Sequence, residues 1–132
     1  MAETIPSSHL DLFDKKALAY LAVHLKNGGI QVNPVWCSHQ DGHVLINSAQ
    51  GRVKDRAMRA NATVTVCIGD PDNPYRFLEL RGKVVDIITE GADAHIDALA
   101  KKYMGVDQYP NRSEAEVRIM YRIAPEKVVA KG

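Results

Sequence analysis

The chain has 132 residues, and its 17 Lys or Arg against 16 Asp or Glu leave a net charge of +1. That length suits a single domain spanning residues 1–132 with a substantial core, and the charge balance gives no global basic field for nucleic acid. The two cysteines, Cys37 and Cys67, form neither a disulfide framework nor a metal-type spacing; no secretory signal or membrane-length apolar run is visible, so the cytoplasm is the expected compartment.

Residues 1–7 read as a flexible leader ending at Pro6-Ser7. Ser8 is placed to cap a short helix through about Lys16. Ala17 to Leu25 and Ile30 to Cys37 flank the turn Asn27-Gly28-Gly29, which predicts a hairpin. In its second strand Ile30, Val32, Pro34 and Trp36 share one face and Gln31, Asn33, Val35 and Cys37 the other. Pro34 has no N–H for a ladder bond, which marks an edge, a bulge or a place where a planar ligand approaches. Gln40-Asp41-Gly42 predicts the next turn. His39 and His43 flank it without a third ligand, so no metal site is expected.

After the apolar run Val44-Leu45-Ile46 comes Ser48-Ala49-Gln50-Gly51-Arg52-Val53-Lys54, the opening of a short basic helix. A helix start has unpaired backbone N–H groups and a partial positive charge. With Arg52 and Lys54 added, it makes a receptor for one phosphate, or else an ordinary solvated basic helix. Arg52, Arg56 and Arg59 line one face, while Val53, Ala57 and Ala60 are expected to pack inward. Thr63 to Ile68 alternates as a strand, with Val64, Val66 and Ile68 inward. Asp70-Pro71-Asp72-Asn73-Pro74 predicts a rigid turn, followed by Tyr75, Arg76 and a long strand from Phe77 to about Thr89. Gly82 inside that strand predicts a bulge or a tight barrel bend. Residues 92–104 carry a helical stripe of Ile96, Leu99, Ala100 and Tyr103, ended by Gly105. The stripe leaves Asp93, Asp97, Lys101 and Lys102 as a solvated face. Val117 to Ile123 predicts the last strand, with Pro125 to Val129 extending it. The whole is expected to be mainly β: a six- to seven-stranded antiparallel small barrel with two or three flanking helices.

Asn33-Pro34-Val35-Trp36, Gly51-Arg52-Val53-Lys54, Asp70-Pro71-Asp72-Asn73-Pro74-Tyr75-Arg76 and Glu79-Leu80-Arg81-Gly82 occur in an order and spacing that resembles the split β-barrel flavin and deazaflavin oxidoreductases. These are relatives of pyridoxamine 5′-phosphate oxidase, and the likeness is to the branch using the deazaflavin coenzyme F(420). It runs from about Leu12 to Val129. The resemblance implies a homodimer with cofactor held in grooves between two barrels. It implies that Arg52 and Lys54 bind the cofactor phosphate, with Ser48 and Ala49 as adjoining backbone contacts. It places Asn33, Pro34, Val35 and Trp36 along the isoalloxazine-type ring, and Tyr75 and Arg76 in a loop near the cofactor. Ile30-Gln31, Cys37 and Asn61-Ala62 depart from the family's usual residues at those positions.

In such a site the cofactor carries the chemistry, so no catalytic side chain is expected. The implied activity is hydride donation from reduced F(420) to a small-molecule acceptor such as a conjugated enone, quinone or tetrapyrrole. Arg56 and Arg59 would suit the coenzyme's oligoglutamate tail. Two alternatives stay open: an FMN-dependent oxidase or reductase on the same fold, and a cofactor- or pigment-binding protein without turnover.

Overall fold

The computed structural model describes residues 2–132. Seven antiparallel strands form a single sheet in the order β2-β1-β5-β6-β7-β4-β3. They are β1 (Ala19–His24), β2 (Ile30–Val35), β3 (Cys37–Gln40), β4 (His43–Ala49), β5 (Thr63–Asp70), β6 (Asn73–Ile88) and β7 (Arg118–Lys131). Two α-helices, α1 (Val53–Ala60) and α2 (Ala92–Met104), and a 3-10 helix over Ser7–Phe13 accompany it. The two edge strands, β2 and β3, are separated in the chain only by Trp36. The segment predicted as one strand therefore bends at Trp36 and pairs at both margins of the sheet, with β1 before the bend and β4 after it. This curls the sheet into a split β-barrel.

Strand alternation fills the barrel. Ala19, Leu21 and Val23 of β1 face Val64, Val66 and Ile68 of β5 in a core that also holds Leu78, Leu80, Ile119, Tyr121 and Ile123. Gly82 sits where the β6–β7 register shifts, against the backbone of Ala124. The bulge expected there is present, and β7 runs on through Pro125 to Lys131.

Two local expectations need correction. The segment after Ser8 is a 3-10 helix without a side-chain cap, burying His9, Leu12 and Phe13. In α1 the buried side chains are Asp55, Ala57 and Met58, while Val53 and Ala60 are exposed. Tyr121 is the reason: its hydroxyl lies inside the barrel and donates to Asp55 Oδ1 at 2.5 Å. A buried hydroxyl needs an acceptor, and Asp55 turns inward to provide it. Its other oxygen accepts from the Gly51 N–H at 2.9 Å, which fixes the start of α1.

Candidate functional site

The bend at Trp36, the end of β4, the start of α1, helix α2 and the start of β7 surround a cleft of about 280 Å³. Pro34, Val35, Trp36, Ser48, Arg52 and Lys54 all line it. Gly51, at φ 88°, makes the turn that carries the chain from β4 into α1. A roomier groove of about 460 Å³ lies between the β1–β2 turn and α1. The smaller cleft is the chemically equipped one: among the described residues, the buried side-chain atoms without a hydrogen-bond partner are Asn33 Oδ1, Ser48 Oγ and Arg118 Nη1, and two of these three residues line it.

One wall is aromatic. Trp36 stacks on Tyr103 with ring centroids 5.2 Å apart and planes 4° from parallel, and Tyr109 meets Trp36 edge-on at 6.0 Å. Tyr103 is fixed from behind, donating its hydroxyl to Ala17 O at 2.6 Å and accepting from the Cys37 N–H at 3.2 Å. Burial pushes its phenol well above the ordinary tyrosine range, so it stays protonated. Lys102, expected on a solvated face, instead donates to Cys37 O at 2.7 Å. Its ammonium caps that carbonyl just past the barrel bend and lies 4.6 Å from the centre of the Tyr103 ring.

The opposite end is cationic. Lys54 is partly buried and its pKa is lowered, first by burial and then by the neighbouring Arg52, with no carboxylate contributing. Arg52 pairs with Glu116 at 2.6 Å in an exposed ion pair, an arrangement of small net stability. An anion entering here would relieve Lys54 and could exchange with Glu116 at Arg52. The donor set fits a phosphate, and the flat wall fits a planar ring.

Other predicted site residues lie outside this lining. Asn33 and the buried Ala49 flank it in β2 and β4. Arg56 donates to Gly51 O and lines the larger groove, and Arg59 pairs with Asp55 at 3.0 Å. Tyr75 is exposed, whereas Arg76 bridges Asp11 at 2.6 Å, Asp70 at 2.9 Å and Ser8 O at 2.7 Å. That network ties the 3-10 helix to the β5–β6 turn. Hydrogen bonds from the Asp72 N–H, Lys15 and Arg76 hold the Asp70 carboxyl down to about 2.

Asn47, Tyr109, Asn111 and Arg118 line the cleft without having been singled out as site residues. Asn47 donates to Ala92 O at 2.9 Å and lies 3.1 Å from His95 Nδ1, and its Oδ1 accepts from Arg118 Nε at 2.9 Å. That arrangement leaves the His95 proton on Nε2, donated to Ser38 Oγ at 2.9 Å. Burial, then Arg118 and Lys102, depress the His95 pKa from 6.5 to about 4. The folded imidazole is therefore neutral where the unfolded one takes a proton, and stability is kept above about pH 6.5 and lost as pH falls toward 4. Urea unfolding at pH 7 and pH 4.5 should show a drop smaller by about 1–2 kcal/mol in His95→Gln than in the parent chain. Equal drops would remove His95 as a source of acid sensitivity.

No family model matches the chain, and no curated protein matches it in sequence. Solved structures do. An F(420) reductase is 28% identical, with 95% of this chain and 98% of that chain covered and a TM-score of 0.82. A conserved hypothetical protein from Mycobacterium tuberculosis is 16% identical over 99% of this chain and 88% of its own, with a TM-score of 0.76. A Listeria innocua protein with the provisional name pyridoxamine 5′-phosphate oxidase is 17% identical over 93% and 94%, with a TM-score of 0.71. The last two likenesses concern the fold alone. Among the described residues no helix is long and apolar enough to cross a membrane.

Proposed function

This chain has the split β-barrel fold of an F(420) reductase and of pyridoxamine 5′-phosphate oxidase-like proteins, and from that premise we propose that it is an F(420)-dependent reductase. The observation that carries the proposal is Lys54: a partly buried ammonium with no carboxylate acting on it, beside Arg52 at a helix start and in the same cleft as Trp36. Arg52 and Lys54 hold the phosphate. Pro34, Val35 and Trp36 carry the ring, backed by Tyr103. Arg56, one turn beyond Arg52 on α1, would suit an oligoglutamate tail.

When bound and reduced, the deazaflavin supplies a hydride to the acceptor, for which a conjugated enone, quinone or tetrapyrrole is the chemical class. The protein's part is positioning and exclusion of water. Trp36 and Tyr103 set the ring plane, and Lys54 and Arg52 set how far the ring enters the cleft. No side chain is assigned a proton-transfer role, because solvent protonates the product. The free thiols Cys37 and Cys67 suit a reducing cytoplasm.

Fluorescence titration of the purified protein with F(420) and with FMN tests the cofactor. Binding of F(420) at least tenfold tighter than FMN supports the proposal. The reverse order makes the protein an FMN enzyme of the same fold, and binding of neither overturns the reading.

We further propose a homodimer of single-domain chains. The cleft, about 280 Å³, lies at the low end of ligand-site volumes, and a partner chain would complete its wall. The outer face of β1 and β2 exposes Tyr20, Ile30 and Val32 at 48%, 61% and 57%, and this apolar strip continues to Pro34 at the cleft. Light scattering at micromolar concentration should give twice the chain mass; a monomer that binds cofactor tightly would refute the dimer.

A further inference from the structure

Glu116 stands between two arginines. Its Oε2 accepts from Arg52 Nη2 at 2.6 Å, and its Oε1 lies 3.5 Å from Arg118 Nη1. The hydrogen bond from Arg52 holds the Glu116 carboxyl below the usual glutamate range, so it is ionised at neutral pH. The two arginines differ. Arg52 is 46% exposed and lines the cleft at the start of α1. Arg118 is 6% exposed, and its Nη1 has no hydrogen-bond partner. A buried donor without an acceptor is costly and uncommon. At 3.5 Å the Glu116 oxygen is roughly 0.7 Å beyond the usual charge-assisted distance to it.

The surroundings let the carboxylate move and little else. Val117 O accepts from the Gln50 N–H at 2.8 Å, and the Glu116 N–H donates to Ser113 O at 3.1 Å, which ties the backbone here to the turn before α1. Arg118 is held as well. It pairs with Ala49 across the sheet, and its Nε donates to Asn47 Oδ1 at 2.9 Å, while Asn47 itself donates to Ala92 O. Rotation within the Glu116 side chain is therefore enough to exchange one guanidinium for the other. The Arg118 guanidinium carbon lies 5.2 Å from the centre of the Tyr109 ring, and Tyr109 meets Trp36 edge-on at 6.0 Å. Whatever fixes Arg118 is felt by contact at the aromatic wall.

We propose that Glu116 is a carboxylate that changes partners: it answers Arg52 until a phosphate takes that guanidinium, then passes to Arg118 Nη1 and steadies Tyr109 against Trp36. This rests on the reading of Arg52 and Lys54 as the phosphate seat. A phosphate beside Glu116 repels it and the unanswered Nη1 attracts it, so both changes drive the carboxylate the same way. Phosphate at one end of the cleft thereby orders the aromatic wall at the other. Glu116 touches no reacting atom and is a positioning residue.

Inorganic phosphate is the probe, titrated into the parent chain, Glu116→Gln, Glu114→Gln and Lys54→Ala. Calorimetry gives the affinity and tryptophan emission the second readout, since Trp36 is the only tryptophan. In the parent chain, phosphate should change Trp36 emission along the same isotherm as the heat. Glu116→Gln removes the competing charge and should bind phosphate roughly two- to fivefold more tightly, without the emission change. Glu116→Ala, which keeps no acceptor, should behave as Glu116→Gln does. Glu114, exposed on the same loop, supplies the control: Glu114→Gln loses the same charge and should match the parent in both readouts. The proposal is wrong if Glu116→Gln binds no tighter than Glu114→Gln, if it keeps the emission change, or if phosphate binds the parent and leaves Trp36 unaltered; the phosphate seat survives each of these. If phosphate binds the parent no better than it binds Lys54→Ala, the seat itself fails and the proposal falls with it.

Discussion

Gly82→Ala should leave little folded protein. A Cβ on Gly82 would lie 2.0 Å from Ala124 O, 3.0 Å from Ala124 C and 3.2 Å from Pro125 Cα. All three are backbone atoms, so no side-chain rotation makes room. Relief would require β6 and β7 to part at a register shift, where Gly82 faces Pro125. These two strands form the longest seam of the sheet, and β7 also carries β4 on its other side. We expect a loss of more than about 4 kcal/mol, in the exceptional range for a point change. Urea unfolding followed by circular dichroism is the measurement. Gly69→Ala is the matched control, since a Cβ there meets nothing within 4 Å, and it should shift stability by no more than about 1 kcal/mol. If the two variants unfold alike, the close approach at Gly82 is not what excludes a side chain.

Lys54→Ala should weaken cofactor binding roughly 10- to 100-fold, the equivalent of one charge-assisted hydrogen bond of about 1.5–3 kcal/mol. The effect should fall on affinity and spare turnover at saturating cofactor, because the phosphate is remote from the carbon that gives up hydride. Lys54 is the more informative of the two cations. Arg52 already has Glu116 at 2.6 Å, so part of its charge is answered within the chain, whereas only burial and Arg52 shift the Lys54 ammonium. Arg52→Lys should also lose affinity, because a point charge cannot reproduce the planar fork. Lys101 is exposed on α2 and supplies the control. Equal weakening by Lys54→Ala and Lys101→Ala would reduce the effect to general charge and remove the phosphate site.

The parts of the fold that could be read from sequence are those set by neighbours in the chain. Alternation gave β5, the Ile96-Leu99-Ala100 stripe gave α2, and a glycine within a strand pattern marked the Gly82 bulge. Side chains whose role is set across the sheet were missed or misread. Asp55 looks like a first-turn surface carboxylate until Tyr121, 66 positions away, brings a buried hydroxyl to it. Lys102 looks solvated until the Cys37 carbonyl, 65 positions away, comes within 2.7 Å. The cleft divides in the same way. Pro34, Trp36, Arg52 and Lys54 sit in short local motifs and were legible. Asn47, His95 and Arg118 form a contact network whose members are 48 and 71 positions apart, and nothing local to any of them announces it.

The bend at Trp36 also bears on the order in which the chain can fold. β1–β2, β3–β4 and β5–β6 are hairpins between near neighbours and can form early, since short loops close at little entropic cost. With β1–β5 pairing they make two pieces joined at Trp36, and neither is a barrel. Only β7 joins them, pairing β6 on one side and residues 44–49 on the other. The cleft draws on the bend, β4, α1, α2 and β7, so it does not exist before that last strand docks. Cofactor should therefore leave the early steps of refolding unaffected and slow the unfolding of the closed barrel, with a stabilisation that grows with the logarithm of its concentration.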